Sequence, residues 1–138
     1  MKKSNIFLLI ISTLSLTFAG PLQDLIDATD PGGTLDLNSD DNFTESVTIS
    51  SPITINGNGA TLDASGLGTG IVVNSPTIDG VTISGMTIVG DSGTSSGITV
   101  TPGSDNINIL NNTIYGMQLA NPSNSSPFGY GILVYGNS

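Results

Sequence analysis

The stretch Gly97 to Ile114 reproduces Gly70 to Ile88 in both its apolar positions and its turns, and this internal copy restricts the fold more than any other feature. Ile83 matches Ile109, Asp79 matches Asp105, Thr87 matches Thr113 and Ile88 matches Ile114, each at a spacing of 26 residues. A fixed period of this length belongs to stacked coils, in which each repeat buries its apolar face on the next and cannot fold alone.

Within the period the apolar residues alternate with polar ones, the signature of short strands. One column holds Thr34-Leu35, Thr61-Leu62, Thr87-Ile88 and Thr113-Ile114. A second holds Ile53-Thr54-Ile55, Val81-Thr82-Ile83 and Ile107-Asn108-Ile109. The third holds Val47-Thr48-Ile49, Ile71-Val72-Val73, Ile98-Thr99-Val100 and Ile132-Leu133-Val134. In each triplet the flanking residues point to a common interior and the central one outward. Three strands per coil, each about 4.8 Å from its equivalent in the next, predict an all-β parallel β-helix of about three to four coils over residues 34–138. In this reading Leu35, Leu62, Ile88 and Ile114 touch inside the tube.

Punctuation follows the same plan. Leu22, Leu25 and Ile26 fall at i, i+3 and i+4 behind Pro21, which predicts a short helix over about 21–29 lying as a cap on the first coil. Asp30-Pro31-Gly32-Gly33 ends it. Asn56-Gly57-Asn58-Gly59, Ser84-Gly85 and Leu110-Asn111 mark one corner, where left-handed backbone is tolerated. At another corner the connections lengthen along the stack: Asp63 to Thr69, Val89 to Ser96, then Tyr115 to Tyr130. Insertions gathered on one side of a solenoid often mark its binding side.

Residues 1–19 stand apart. Lys2 and Lys3 precede the apolar run Ile6 to Phe18, and Thr17-Phe18-Ala19 supplies small residues for cleavage after Ala19, so a signal peptide is expected, with the domain proper over 20–138. Its removal leaves no Lys, Arg or His, while all eleven Asp and Glu remain. A chain without side-chain cations has nothing to pair with phosphate, which argues against nucleic acid and anionic lipid, and no further segment is suited to membrane insertion after cleavage. With no Cys there are no disulfides and no lipid-modified cysteine. Secretion or surface display is the expected location. Because Ile132-Leu133-Val134 restarts the third column just before Ser138, further coils of a longer chain are expected.

The chain resembles the right-handed parallel β-helix of the pectin-lyase-like superfamily, and in particular its NosD-like and adhesin-like repeat proteins. The likeness is carried by the helix followed by Asp30-Pro31-Gly32-Gly33-Thr34-Leu35, by Ser51 to Asp63 (SPITINGNGATLD) and by the repeat Gly97-Ile98…Asn106-Ile107-Asn108-Ile109…Asn111-Asn112-Thr113-Ile114. It implies the fold strongly and an activity weakly. Corner asparagines stack coil on coil in such families, whereas Asn111 and Asn112 align here with Gly85 and Met86, which argues against an asparagine ladder.

The resemblance also raises polysaccharide chemistry. Lyases of this fold would use Arg or Lys as base with Ca²⁺, and residues 20–138 contain no such base. Glycosidases need clustered carboxylates about the scissile bond. Asp40-Asp41 is adjacent, but it has no third carboxylate at a matching repeat position, and a solvated turn over Asn38 to Phe43 accounts for it. Asp79 and Asp105 align in consecutive coils with Asp91 in a neighbouring connection, a candidate oxygen set for Ca²⁺, though aspartates at tight turns cap backbone N–H groups routinely. Tyr115, Phe128, Tyr130 and Tyr135 cluster about the longest connection among Asn121, Ser123, Asn124 and Ser125. Tyr115, Asn124, Phe128 and Tyr130 are accordingly the candidate carbohydrate- or partner-binding residues, with coverage of the coil edge as the simpler role for the rings. A rank of Thr34, Thr61, Thr87 and Thr113 resembles the ice-binding face of some solenoid antifreeze proteins, although Thr is also the ordinary residue of an exposed strand. The expected function is structural or adhesive, towards polysaccharide or a surface protein. The alternative is the non-catalytic front of a carbohydrate-active enzyme whose active residues lie beyond Ser138.

Overall fold

The computed structural model describes residues 21–74, 79–118 and 129–136. One helix, α1 (Leu22–Asp27), precedes twelve strands: β1 (Thr34–Asp36), β2 (Asn42–Thr44), β3 (Val47–Ile49), β4 (Thr54–Asn56), β5 (Thr61–Asp63), β6 (Gly68–Val73), β7 (Thr82–Ser84), β8 (Thr87–Val89), β9 (Thr94–Val100), β10 (Asn108–Leu110), β11 (Thr113–Tyr115) and β12 (Tyr130–Val134). They form three four-stranded parallel sheets. Sheet A is β1-β4-β7-β10, sheet B is β2-β5-β8-β11 and sheet C is β3-β6-β9-β12. The chain visits A, B and C in turn, four times over, as a right-handed parallel β-helix. Among the described residues no helix is long and apolar enough to cross a membrane.

Register stacks like on like. Leu35, Ile55, Ile83 and Ile109 make the inner row of sheet A, and Phe43, Leu62, Ile88 and Ile114 that of sheet B. Sheet C contributes two rows, Val47–Ile71–Ile98–Ile132 and Ile49–Val73–Val100–Val134. In the two middle coils these side chains are enclosed, because each has a neighbour above, below and across the tube. Met86, Ala60 and Ala64 fill the corners.

One expected column is corrected. Leu35 does not stack on Leu62: it pairs with Ile55 in sheet A, and Phe43 heads the sheet B row above Leu62. The segment Asn38 to Phe43, expected as a turn, therefore ends in strand β2. The first coil is short, with Leu35 and Ile55 only 20 residues apart against 28 from Ile55 to Ile83, so a 27-residue spacing from Leu35 to Leu62 matches the period without marking a contact. Counted from β1, β12 completes the fourth turn.

The first coil is closed by α1, whose Leu22 and Ile26 are buried on it. Pro21 at its start supplies no side-chain cap. Glu45, at the corner between β2 and β3, instead accepts hydrogen bonds from the backbone N–H of Leu22 and, at 3.2 Å, of Gln23. Gln23 in turn acts as a substitute strand: its Oε1 accepts from Thr48 N at 2.7 Å and its Nε2 donates to Thr48 O at 3.0 Å, satisfying the open edge of β3. Glu45→Ala removes the acceptor for two helix N–H groups and is expected to lower the unfolding free energy by about 1–2 kcal/mol. Urea denaturation checks it through the midpoint at unchanged slope.

Candidate recognition surface

The outward positions of sheets A and B form ordered rows. Thr34, Thr54, Thr82 and Asn108 lie in register on sheet A, and Asn42, Thr61, Thr87 and Thr113 on sheet B. The expected rank of Thr34 with Thr61, Thr87 and Thr113 is thus corrected: Thr34 belongs to the neighbouring sheet, and Asn42 takes its place. A second outer row on sheet A is linked side chain to side chain, with Asn56 Nδ2 donating to Asp36 Oδ1 at 2.7 Å and Ser84 Oγ donating to Asn56 Oδ1 at 3.4 Å. With strands about 4.8 Å apart, these rows present a regular grid of hydroxyl and amide groups.

Tyr115 and Tyr130 both belong to the last coil but not to one face. Tyr115 extends the outer row of sheet B beyond Thr44, Asp63 and Val89. Tyr130 is in register with the enclosed Ser96, and Ile132 with Ile98, so Tyr130 continues a row that the coils below turn inward. Both rings are about half exposed. Asn124 and Phe128 lie outside the described residues.

The three aspartates separate. Asp79 and Asp105 bridge in parallel at the corner between sheets C and A, where Asn106 Nδ2 donates to Asp79 Oδ1 at 2.5 Å. Asp91 lies at the corner between sheets B and C and does not join them. Its Oδ1 accepts from Gly66 N at 2.7 Å, Gly93 N at 2.8 Å and Thr94 Oγ1 at 3.3 Å, which ties the corner of the third coil to that of the second. Among the described residues no three carboxylates gather where a metal would be held. The Asp91 carboxylate is a backbone cap.

Those N–H groups, Gly66 first and then Gly93, hold the Asp91 carboxyl below its ordinary 3.8. The Ser65 hydroxyl, and after it the Ser65 N–H, lower Asp63 likewise. Each stabilises the fold only when ionised, so its contribution is present above the unfolded value of about 3.9 and is lost as pH falls through the lower folded value. Below about pH 4 the thermal midpoint is therefore expected to fall more steeply in the wild type than in Asp91→Asn, so that the two curves converge in acid. Scanning calorimetry across about pH 2 to 6 reads this directly.

The sequence places Asn112 at a corner without showing what it binds. Its Oδ1 accepts from Met86 N at 2.9 Å and its Nδ2 donates to Ile83 O at 2.8 Å, stitching the last coil to the third. Nearer the first coil Asn58 plays a similar part, with Nδ2 donating to Leu37 O at 2.9 Å. Buried Met86 occupies the corner position between these two rungs, so the asparagines do not run as one ladder.

No family model, curated protein or solved structure matches this chain. The outer faces are repetitive and neutral to acidic, with Asp36 and Asp63 in their rows, carry no Lys, Arg or His beyond Lys3, and are edged by aromatic rings at the last coil.

Proposed function

We propose that the protein is a secreted or cell-surface β-helix scaffold without catalytic activity, exported by a signal peptide cleaved after Ala19. Its role is structural or adhesive, presenting hydroxyl and amide rows to polysaccharide or to another surface protein. The observation that carries this reading is the pair of outer grids on sheets A and B in a chain with no Lys, Arg or His beyond Lys3. Hydroxyl and amide groups beside an exposed ring suit sugar hydroxyls and C–H faces, while no side-chain cation is there to hold phosphate. Tyr115, at the end of the sheet B outer row, is the principal stacking group, with Tyr130 flanking the same long connection. A glycan array probed with the processed protein tests it. Retention of a sugar class that Tyr115→Ala loses is the expected result, and failure to hold any sugar or matrix protein sinks the adhesive role.

A second reading is favoured by one observation, the parallel ranks Thr54–Thr82 and Thr61–Thr87–Thr113 on adjacent sheets. Such a grid suits an ordered water layer, and ice binding would show itself as thermal hysteresis in a freezing-point measurement. Coincident melting and freezing points dismiss it.

A further inference from the structure

Three peptide steps in this chain join an asparagine or aspartate to a glycine: Asn56-Gly57, Asn58-Gly59 and Asp79-Gly80. Because glycine has no side chain to hinder it, its nitrogen can reach back to the preceding side-chain carbonyl and close a cyclic imide, which makes such steps the ones most prone to rearrange. In each of them the fold occupies that nitrogen. Gly57 N donates to Ser84 O at 2.6 Å, Gly59 N to Gly85 O at 2.7 Å and Gly80 N to Asp105 O at 3.1 Å, in every case a carbonyl of the following coil. The two asparagines are pinned from the other side as well. Asn56 Nδ2 donates to Asp36 Oδ1 at 2.7 Å and Asn58 Nδ2 to Leu37 O at 2.9 Å, both acceptors lying on the first coil. The group that would be attacked is thus held by the coil before, and the nitrogen that would attack it by the coil after. Gly57 is also buried, so close to the third coil that an added Cβ would stand 2.7 Å from Met86 N.

We infer that Asn56 and Asn58 are deamidation sites gated by the stack, silent while the third coil lies on the second and reactive once it lifts away. Opening frees the glycine N–H from its carbonyl and exposes it to base. Hydroxide takes the proton, the nitrogen bonds to the asparagine Cγ, and the Cγ–Nδ2 bond breaks as the departing nitrogen takes a proton from water and leaves as ammonia. Water then opens the imide to aspartate or isoaspartate. In sum one carboxamide and one water give one carboxylate and one ammonium ion, with nothing oxidised or reduced. Re-stacking does not undo the change. At position 56 the new carboxylate faces Asp36, placing like charges side by side in the outer row of sheet A. At position 58 the donor to Leu37 O is gone and a carboxylate oxygen takes its place against that carbonyl. An isoaspartate further lengthens the main chain by a carbon at a corner where every residue is in register. The corner therefore turns a transient opening into a lasting one. The inference goes beyond the scaffold reading and does not depend on it.

Peptide mapping by mass spectrometry, after incubation in mildly alkaline buffer, tests it. The folded protein, the protein in strong urea and folded Ile83→Ala are compared, the last because its truncation loosens the third coil without altering the corner. Both asparagines are expected to convert in urea, about tenfold or more slowly in the folded wild type, and at an intermediate rate in Ile83→Ala. If Ile83→Ala does not fold, wild type in urea just short of its transition supplies the loosened stack instead. Asn56→Asp and Asn58→Asp, made directly, should each melt below the wild type at neutral pH. Equal rates in folded and unfolded protein, no conversion in urea, or a loosened stack that converts no faster than the native one would each overturn the gating, and variants that melt as the wild type does would overturn its permanence.

Discussion

Ile83→Ala is expected to lower the unfolding free energy by about 2–5 kcal/mol, among the largest effects any single truncation in this chain can have. Ile83 is fully enclosed, stacked between Ile55 and Ile109 in the inner row of sheet A. Removing three of its carbons leaves a void that rigid strands on either side cannot collapse into, so a cavity contribution adds to the lost transfer free energy. Ile109→Ala deletes the same atoms from the last coil, where the side chain is only partly buried, and should cost clearly less. Urea denaturation of both variants reads the difference. Equal losses would mean that the last coil is as well packed as the third, contrary to its exposure. Because each coil leans on its neighbours, the loss at Ile83 should also lower cooperativity by uncoupling the coils on either side.

Gly97→Ala is the second large effect. Gly97 does not adopt the left-handed backbone, so its need for glycine is one of space. A Cβ there would collide with Ile114 Cγ2 and sit 2.7 Å from the carbonyl oxygen of Gly131. The isoleucine can turn, but the carbonyl belongs to β12 and can yield only if the last coil lifts off the third. Overpacking of this kind costs typically about 1–3 kcal/mol, and here the backbone contact places it at the upper end. Gly131→Ala is the control. It occupies the equivalent position one coil on, where the nearest atom to an added Cβ is Ile114 Cγ2 at 3.9 Å. Its effect should stay within about 0.5 kcal/mol. Hydrogen exchange localises the damage: amides of β12 should lose protection in Gly97→Ala while those of β4 and β5 keep theirs.

The repeat made most of the architecture legible before any coordinates. Sheet C was readable triplet for triplet, because Val-Thr-Ile, Ile-Val-Val, Ile-Thr-Val and Ile-Leu-Val all carry β-branched apolar residues at both flanking positions and sit at comparable positions in their coils. The first coil misled, since Asn42-Phe43-Thr44 shows one apolar residue among polar ones after Asp40-Asp41, and nothing local separates that from a turn. Only the short first coil, which carries Leu35 onto Ile55, reveals it as the top of sheet B. The roles of Glu45 and Gln23 were illegible for another reason. Each acts on backbone more than twenty residues away, and no spacing rule announces a side chain that closes the end of a sheet. Likewise Asp91 read as a candidate ligand because its type and its loop allowed that, whereas the glycine N–H groups around it become visible only once two corners stack.

The ladder bonds of all three sheets run along the tube, and that direction has a mechanical consequence. A pull on the C-terminal side loads β12 first, and since its bonds to β9 lie roughly along the line of force they open in succession, like a zipper, before the next coil feels the strain. The N-terminal side, clamped by Glu45 and Gln23, resists longer. Stretched along its axis, the described stack should therefore lengthen in steps of one coil, with the coil held by Glu45 and Gln23 the last to give way.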